Sequence, residues 1–272
     1  MSQDDDRATV ELREGNLAAA LQAQTEVVRR RPTDPDARYL LFGLLAFAGE
    51  WERAAKQLDA LALNDPVLQQ RTGIYLNLIA AEMDRAAALT GKTRPLLPPE
   101  TPEHAQLRLD AFVALAAGDS NGAERAIDAA VAAAPSVVGT CNGTAFGALR
   151  DLDDRFGSVL EVFAGGHYLW LPLERIRRLE IEPPAHLLDT IWLPAGLEDS
   201  DGTTATIHLP VLYPGSASSE DEAERLGRKT GWVPVTPELF AGSGQRILAH
   251  AAEGEPEEVP LLDLRTLEIA GG

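Results

Sequence analysis

The 272-residue chain is 45% hydrophobic and 24% charged, enough apolar material for a large core, and carries a formal charge of −18 with a pI near 4.6. That field repels phosphate backbones and anionic lipid, which argues against nucleic-acid and membrane partners, and no run approaches the roughly eighteen apolar residues of a membrane span. A single cysteine, Cys141, excludes an internal disulfide framework, and the acidic start Met1–Asp6 is unlike a secretory leader, so the expected location is the cytoplasm.

An internal repeat opens the chain. Gly15-Asn16-Leu17 with Ala20, Gln24, Val27 and Pro32 recurs 34 residues later as Gly49-Glu50-Trp51 with Ala54, Leu58, Leu61 and Pro66. A third copy reads Gly118-Asp119, Ala123, Ile127, Ala130 and Pro135. A 34-residue period with a glycine turn, a buried small residue and a closing proline is the tetratricopeptide pattern. Glycine supplies the tight turn, alanine lets two helices approach, and proline stops the second helix. Residues 67–102 read as one degenerate repeat, a helix through Leu76, Leu78, Ile79 and Met83 followed by a Pro-rich connector.

Composition changes after Pro135. Ser158–Phe163, Ala164-Gly165-Gly166 and His167–Leu171 predict a β-hairpin. Further strands are predicted at Leu179–Glu182, Ile191–Leu193, Thr203–Leu209, Gly231–Val235, Gln245–Ala249 and Val259–Ile269. Short helices are predicted at Phe146–Arg155, Leu173–Arg177 and Asp221–Thr230, and acidic loops at Glu198–Asp201, Glu220–Glu224 and Glu253–Glu258. The expected fold is α+β in two domains: tetratricopeptide-like helices over 1–138, then a β-rich domain over 139–272, a small barrel or rolled sheet with short helices. The second half carries most of the charge, residues 141–272 having 22 acids against 10 bases.

The motifs that resemble catalytic sites lack the required context. Thr90-Gly91-Lys92-Thr93 ends like a phosphate loop but follows an alanine-rich helix instead of a buried strand. Gly139-Thr140-Cys141-Asn142-Gly143 has the outline of a nucleophile elbow, yet the alternating β and α segments of that fold are missing, and Asn142-Gly143 is a strong type I′ turn signal. A boundary hairpin with a semi-buried cysteine is the preferred reading. None of the five histidines has another histidine or Cys141 three to five residues away, so no metal is expected. Asp151, Asp153 and Asp154 read as one exposed helix face. Neither a catalytic residue nor a cofactor is assigned.

What stands out is Tyr39–Ala48, a helix apolar on every side and therefore covered on every side. Repeat geometry turns Leu41, Phe42 and Leu45 toward neighbouring helices. It places Tyr39, Gly43, Ala46 and Phe47 on the concave surface, two aromatics around two small residues, a trough shaped for an amphipathic helix. Either a partner fills this trough or the C-terminal half folds back over it.

Several ordered motifs resemble the ImpE/TagJ family of type VI secretion accessory proteins. In the first half they are Leu12–Leu17, Arg38–Phe42, Gly49–Ala54 and Leu58–Leu61. In the second half they are Gly139-Thr140-x-Asn142-Gly143, Leu152–Gly157, Val159-Leu160-Glu161, Tyr168-x-Trp170-x-Pro172-x-Glu174-Arg175-Ile176, Ile181–Pro184, Leu188-Asp189-x-Ile191-Trp192, Tyr213–Ser216, Gly244-Gln245-Arg246 and Pro260–Asp263. The resemblance implies a non-enzymatic adaptor whose partner is the N-terminal helical segment of the small contractile-sheath subunit. The alternatives are a cysteine-dependent hydrolase using Cys141 with a distant histidine and a carboxylate such as Asp189, and a self-assembling scaffold.

Overall fold

The computed structural model describes residues 3–62, 66–252 and 254–270, with side chains from residue 7 onward except at 62 and 66–71. Among these residues seven helices come first: α1 (Gln3–Glu14), α2 (Leu17–Arg30), α3 (Pro35–Phe47), α4 (Trp51–Ala62), α5 (Pro66–Leu89), α6 (Glu103–Ala116) and α7 (Ser120–Ala133). The repeat motif accounts for three hairpins. Gly15, Gly49 and Gly118 turn the chain at positive φ (94°, 69° and 75°), which only glycine tolerates cheaply. Ala20, Ala54 and Ala123 are fully buried, as close helix pairing requires. Asp34 and Asp119 accept the Ala37 and Gly122 amides and so start α3 and α7. Between these pairs α5 stands alone, and the connector behind it forms a β-bridge: Leu96 N donates to Tyr168 O and Trp170 N donates to Leu96 O, both at 2.9 Å. No helix among the described residues is long and apolar enough to cross a membrane.

Among the described residues thirteen strands follow. They are β1 (Gly139–Cys141), β2 (Thr144–Phe146), β3 (Ala148–Asp151), β4 (Val159–Ala164), β5 (His167–Pro172), β6 (Ile176–Glu180), β7 (Trp192–Asp199), β8 (Thr204–Pro210), β9 (Thr230–Pro234), β10 (Phe240–Gly244), β11 (Ile247–Ala251), β12 (Glu257–Pro260) and β13 (Thr266–Ile269). One sheet has eight strands in the order β2-β1-β13-β6-β7-β8-β4-β5, and β12-β11-β3 and β10-β9 form two smaller ones. The large sheet stays open, with β2 and β5 as its edges, so it is not a closed barrel.

Several predicted elements differ. The helix expected over Leu173–Arg177 is a 3-10 turn at Leu173–Arg175, and Ile176 already opens β6. Residues 146–155 form β3 and a tight turn rather than a helix, because Asp151 and Asp153 accept the Asp153 and Arg155 amides and divert the chain. The single strand expected over Val259–Ile269 is two strands in different sheets, broken where Leu261 and Leu264 both turn fully inward. The helix expected over Asp221–Thr230 shrinks to one turn, α8 (Glu222–Arg225), followed by Gly227 at φ 65°. Of the acidic loop at 253–258, Glu253 lies outside the described residues.

The two halves share one core, in which Leu44, Leu45 and Phe47 of α3 join Leu188, Ile191 and Trp192. Side chains of the second half also cap helix ends of the first. Glu222 accepts the Ala18 amide at the start of α2 (2.9 Å), and Arg228 donates to the Leu12 and Arg13 carbonyls at the end of α1 (2.6 and 3.0 Å).

Candidate functional site

The apolar helix Tyr39–Ala48 lies largely under the second half. Trp192, 1% exposed, stacks on Phe42 with ring centroids 6.2 Å apart and sits within 6.3 Å of Trp51 and Tyr75. The four trough residues separate into two groups. Tyr39 is half-buried, its hydroxyl 3.0 Å from that of Tyr75. Gly43 lies beneath a 3-10 turn at Leu187–Thr190, where an added Cβ would come 3.4 Å from Leu187 and 3.5 Å from Leu188. Ala46 and Phe47, 2% and 1% exposed, instead line the floor of a cleft of about 240 Å³. Trp51, Arg85, Ala86 and the segment Leu212–Ser218 make its walls.

Beneath this cleft lies a buried ionic network that joins the two halves. Arg85 of α5 donates to both carboxylate oxygens of Glu161 on β4 (2.8 and 2.6 Å) and to the Leu212 carbonyl (2.9 Å). Arg246 bridges the other side of Glu161 to Asp151 of β3, its guanidinium 4.9 Å from the Tyr213 ring centroid and 5.1 Å from that of Phe156. Tyr168 donates to Glu161 and receives the Trp170 indole N–H, while Tyr213 donates to Asp151 (2.8 Å). Glu82 accepts the Trp192 indole N–H (3.1 Å) and lies 3.4 Å from Arg85. Both arginines and all three carboxylates are buried.

Three acids against two guanidiniums leave one negative charge in surplus, and the acids respond differently. Burial opposes ionisation of Glu161, but Arg85 and Arg246 overcome it and hold its carboxyl down at about 2. Burial pushes Asp151 up to about 6, since it shares Arg246 with Glu161 and faces Asp153. Burial also raises Glu82, against the pull of Arg85 and Trp192. A pH dependence follows. Between its ordinary value and 6, Asp151 binds a proton in the folded state only, so stability rises as pH falls through 6. Glu161 binds a proton only when unfolded between its ordinary value and 2, so stability is lost as pH falls below about 4.5. The Asp151 contribution is therefore expected to favour the folded state near pH 5 over pH 8 by on the order of 1 kcal/mol, opposed by His208, which burial holds below its ordinary value, and the Glu161 contribution is lost below about pH 4. Thermal melts across this range check it, with Asp151→Asn expected to flatten the upper limb. An Asp151→Asn curve with the same slope as the parent between pH 8 and pH 5 contradicts the assignment.

The reading of Asp151, Asp153 and Asp154 as one exposed face is corrected here. Asp151 and Asp153 are fully buried, Asp153 paired with Arg155 at 2.6 Å, because strand alternation and the turn aim both inward. The signal available in the sequence was Glu161, a lone charge inside the apolar run Val159–Phe163. The second-half motifs converge on this network, which takes Glu161, Tyr168, Trp170, Trp192, Tyr213 and Arg246 from five of them.

Cys141 sits in a hairpin. Asn142 and Gly143 (φ 49° and 83°) make its turn, and Asn142 Oδ1 accepts the Arg265 and Thr266 amides. Gly139 is required by sheet packing, since a Cβ there would lie 1.9 Å from the Glu268 carbonyl oxygen. Burial, with a smaller contribution from Glu257, pushes the Cys141 thiol up to about 11, the opposite of an activated nucleophile. A set not anticipated from sequence is Ser158–His104–Glu174, with His104 Nδ1 2.8 Å from Ser158 Oγ and Nε2 2.7 Å from Glu174. Arg108 donates to the same hydroxyl (3.1 Å) and to the Asp154 carbonyl (2.8 Å), so the group staples α6 to β4.

Comparison with known proteins agrees with this architecture. Residues 143–268 match the family described as ImpE protein, and residues 11–71 match a tetratricopeptide repeat. The type VI secretion system accessory component TagJ of Pseudomonas aeruginosa is 35% identical over 258 residues, covering 95% of this chain and 89% of that protein. The crystal structure of protein VPA1032 from Vibrio parahaemolyticus matches with a TM-score of 0.88 at 25% identity, over 97% of each chain. With a curated relative of that identity along nearly its whole length, the chain belongs to the ImpE/TagJ family of type VI secretion accessory proteins.

Proposed function

We propose that the protein is a non-enzymatic adaptor that docks the N-terminal helical segment of the small contractile-sheath subunit in the cytoplasm. The accessory role of its relative supports this reading, as does a Cys141 thiol held protonated. The observation that carries it is the cleft. There Ala46 and Phe47, at the end of the apolar helix, form the buried floor between the helical half and Tyr213–Ser218, while Gly43 is packed beneath the second half and Tyr39 against Tyr75 of α5. An apolar floor with a polar rim suits the anchor residues of an amphipathic helix.

The test is fluorescence polarisation with a peptide covering the N-terminal segment of the small sheath subunit from the same genome. Ala86 lines the cleft and is exposed, so Ala86→Trp should fill the cleft without disturbing the core. Peptide affinity is expected to fall at least about tenfold, roughly 1.4 kcal/mol, with an unchanged melting temperature. If the parent binds no such peptide, the adaptor reading fails. If Ala86→Trp binds like the parent, docking takes place elsewhere.

A further inference from the structure

The cleft at Ala46 and Phe47 has an apolar floor, but one of its walls is charged. Among the described residues that line it, Glu82 and Arg85 alone carry charge, and both are buried, 8% and 3% exposed. They stand three residues apart on α5, yet they do not satisfy each other. Arg85 gives Nε and Nη2 to the two oxygens of Glu161 and Nη2 again to the Leu212 carbonyl, which leaves Glu82 an Nη1 contact at 3.4 Å. Glu82 Oε1 accepts the Trp192 indole N–H at 3.1 Å, so Oε2 has that long contact alone. A carboxylate offers about four lone-pair positions, and this one fills two, one of them poorly.

Counting charge shows what the wall lacks. Glu82, Asp151 and Glu161 face Arg85 and Arg246, while Asp153 is matched by Arg155, so the connected set is short of one positive charge. Burial raises the Glu82 carboxyl and Glu161 adds to the effect, so a proton can make up the shortage in the free protein. A cation in the cleft can do the same. Phe47 and Trp51 line the cleft too, and aromatic rings both cover an aliphatic stem and attract an ammonium. An ammonium is a point charge that meets a carboxylate through Oε2 alone, whereas a guanidinium fork needs both oxygens and Oε1 is committed to Trp192. An anion finds little here, because Arg85 is already held by both oxygens of Glu161 and the whole chain carries −18.

We propose that the cleft is a cation subsite that takes the side chain of a lysine, its stem over Phe47 and Trp51 and its ammonium at Glu82 Oε2. For the source of that lysine, the docked sheath-subunit helix, the inference rests on the adaptor reading, which it deepens by naming the residue that enters.

The subsite itself is tested on the full chain with butylammonium, butyrate and butanol, probes of similar size, followed by nuclear magnetic resonance of the Trp51 and Trp192 indole N–H groups. Butylammonium is expected to shift both signals and to bind at least about tenfold more tightly than butyrate or butanol. Glu82→Gln keeps an acceptor for the Trp192 indole and removes the charge, so it should cost butylammonium at least about tenfold and leave butanol unchanged. A second variant supplies the cation from within the chain. A side chain at position 86 lies over the preceding turn of α5, that of Glu82, so Ala86→Lys should melt about 2–4 °C above Ala86→Met, whose stem and helix propensity are similar. The docked helix is tested by replacing each lysine of the sheath-subunit peptide in turn with norleucine, and one replacement should cost at least about tenfold. If the peptide fails to bind while butylammonium keeps its preference, the adaptor reading falls and the cation subsite stands. If the peptide binds and no lysine matters, the adaptor reading stands and the lysine assignment falls. Butylammonium held no better than butanol, a folded Glu82→Gln that binds it like the parent, or equal melting of Ala86→Lys and Ala86→Met overturns the subsite.

Discussion

Replacing Arg246 with methionine is expected to destabilise the protein by about 3–5 kcal/mol, lowering Tm by roughly 6–15 °C. Arg246 is fully buried and is the cation shared by Asp151 and Glu161, which are themselves buried. Methionine fills much of the volume but leaves those carboxylates facing each other, with Arg85 alone to offset Glu161. The penalty comes from stranding charge in a medium that solvates it poorly, more than from losing a favourable pair. A surface comparison separates the two effects. Arg29 and Glu26 form a pair at 2.7 Å in solvent, where Arg29→Ala should move stability by less than about 0.5 kcal/mol. Thermal and denaturant melts of both variants decide the point, and similar shifts would show that burial does not give the network its weight.

Trp192→Ala is expected to cost about 3–5 kcal/mol as well, for a different reason. The indole fills the space between α3, α4 and α5, with Phe42, Trp51 and Tyr75 around it, and its N–H is the one indole donor to Glu82. Truncation opens a cavity between the halves and leaves a buried carboxylate short of a donor. Trp192→Phe keeps most of the volume and should cost clearly less. Denaturant unfolding with near-ultraviolet circular dichroism measures both. A loss under about 1 kcal/mol for Trp192→Ala would mean that the halves close around the gap.

Local chemistry made much of the fold readable. The repeat hairpins were legible because glycine, alanine and proline act within a turn or two of their own positions. So was the β4–β5 hairpin, whose apolar strands flank Gly165-Gly166. The Asn142-Gly143 turn was legible for the same reason. That Tyr39–Ala48 is covered was legible, with fold-back of the C-terminal half as one alternative, but the covering residues were not, because Leu187, Leu188 and Trp192 lie about 145 residues away and nothing in either segment names the other. The ionic network was hidden in the same way. Asp151 and Asp153 look like surface acids until Arg246 and Arg155 are seen facing them, and Arg85 sits in a helix whose pattern gives no hint of a distant carboxylate. β10, with Gly242 and Gly244 flanking Ser243, lacks the branched residues that mark a strand.

The place of β13 limits the order in which the sheet can be assembled during synthesis. Residues 266–269 pair with β1 on one side and β6 on the other, so the sheet cannot be zipped in the order in which its strands are made. Until those residues leave the ribosome, β1–β2 and the β6–β7–β8–β4–β5 block are separate pieces, each presenting an unpaired inner edge. The nascent chain must keep both gaps from pairing with other molecules while more than a hundred residues are added after β1. A chain truncated before Thr266 would hold that vulnerable state permanently, and its defect would be aggregation rather than a weakened site.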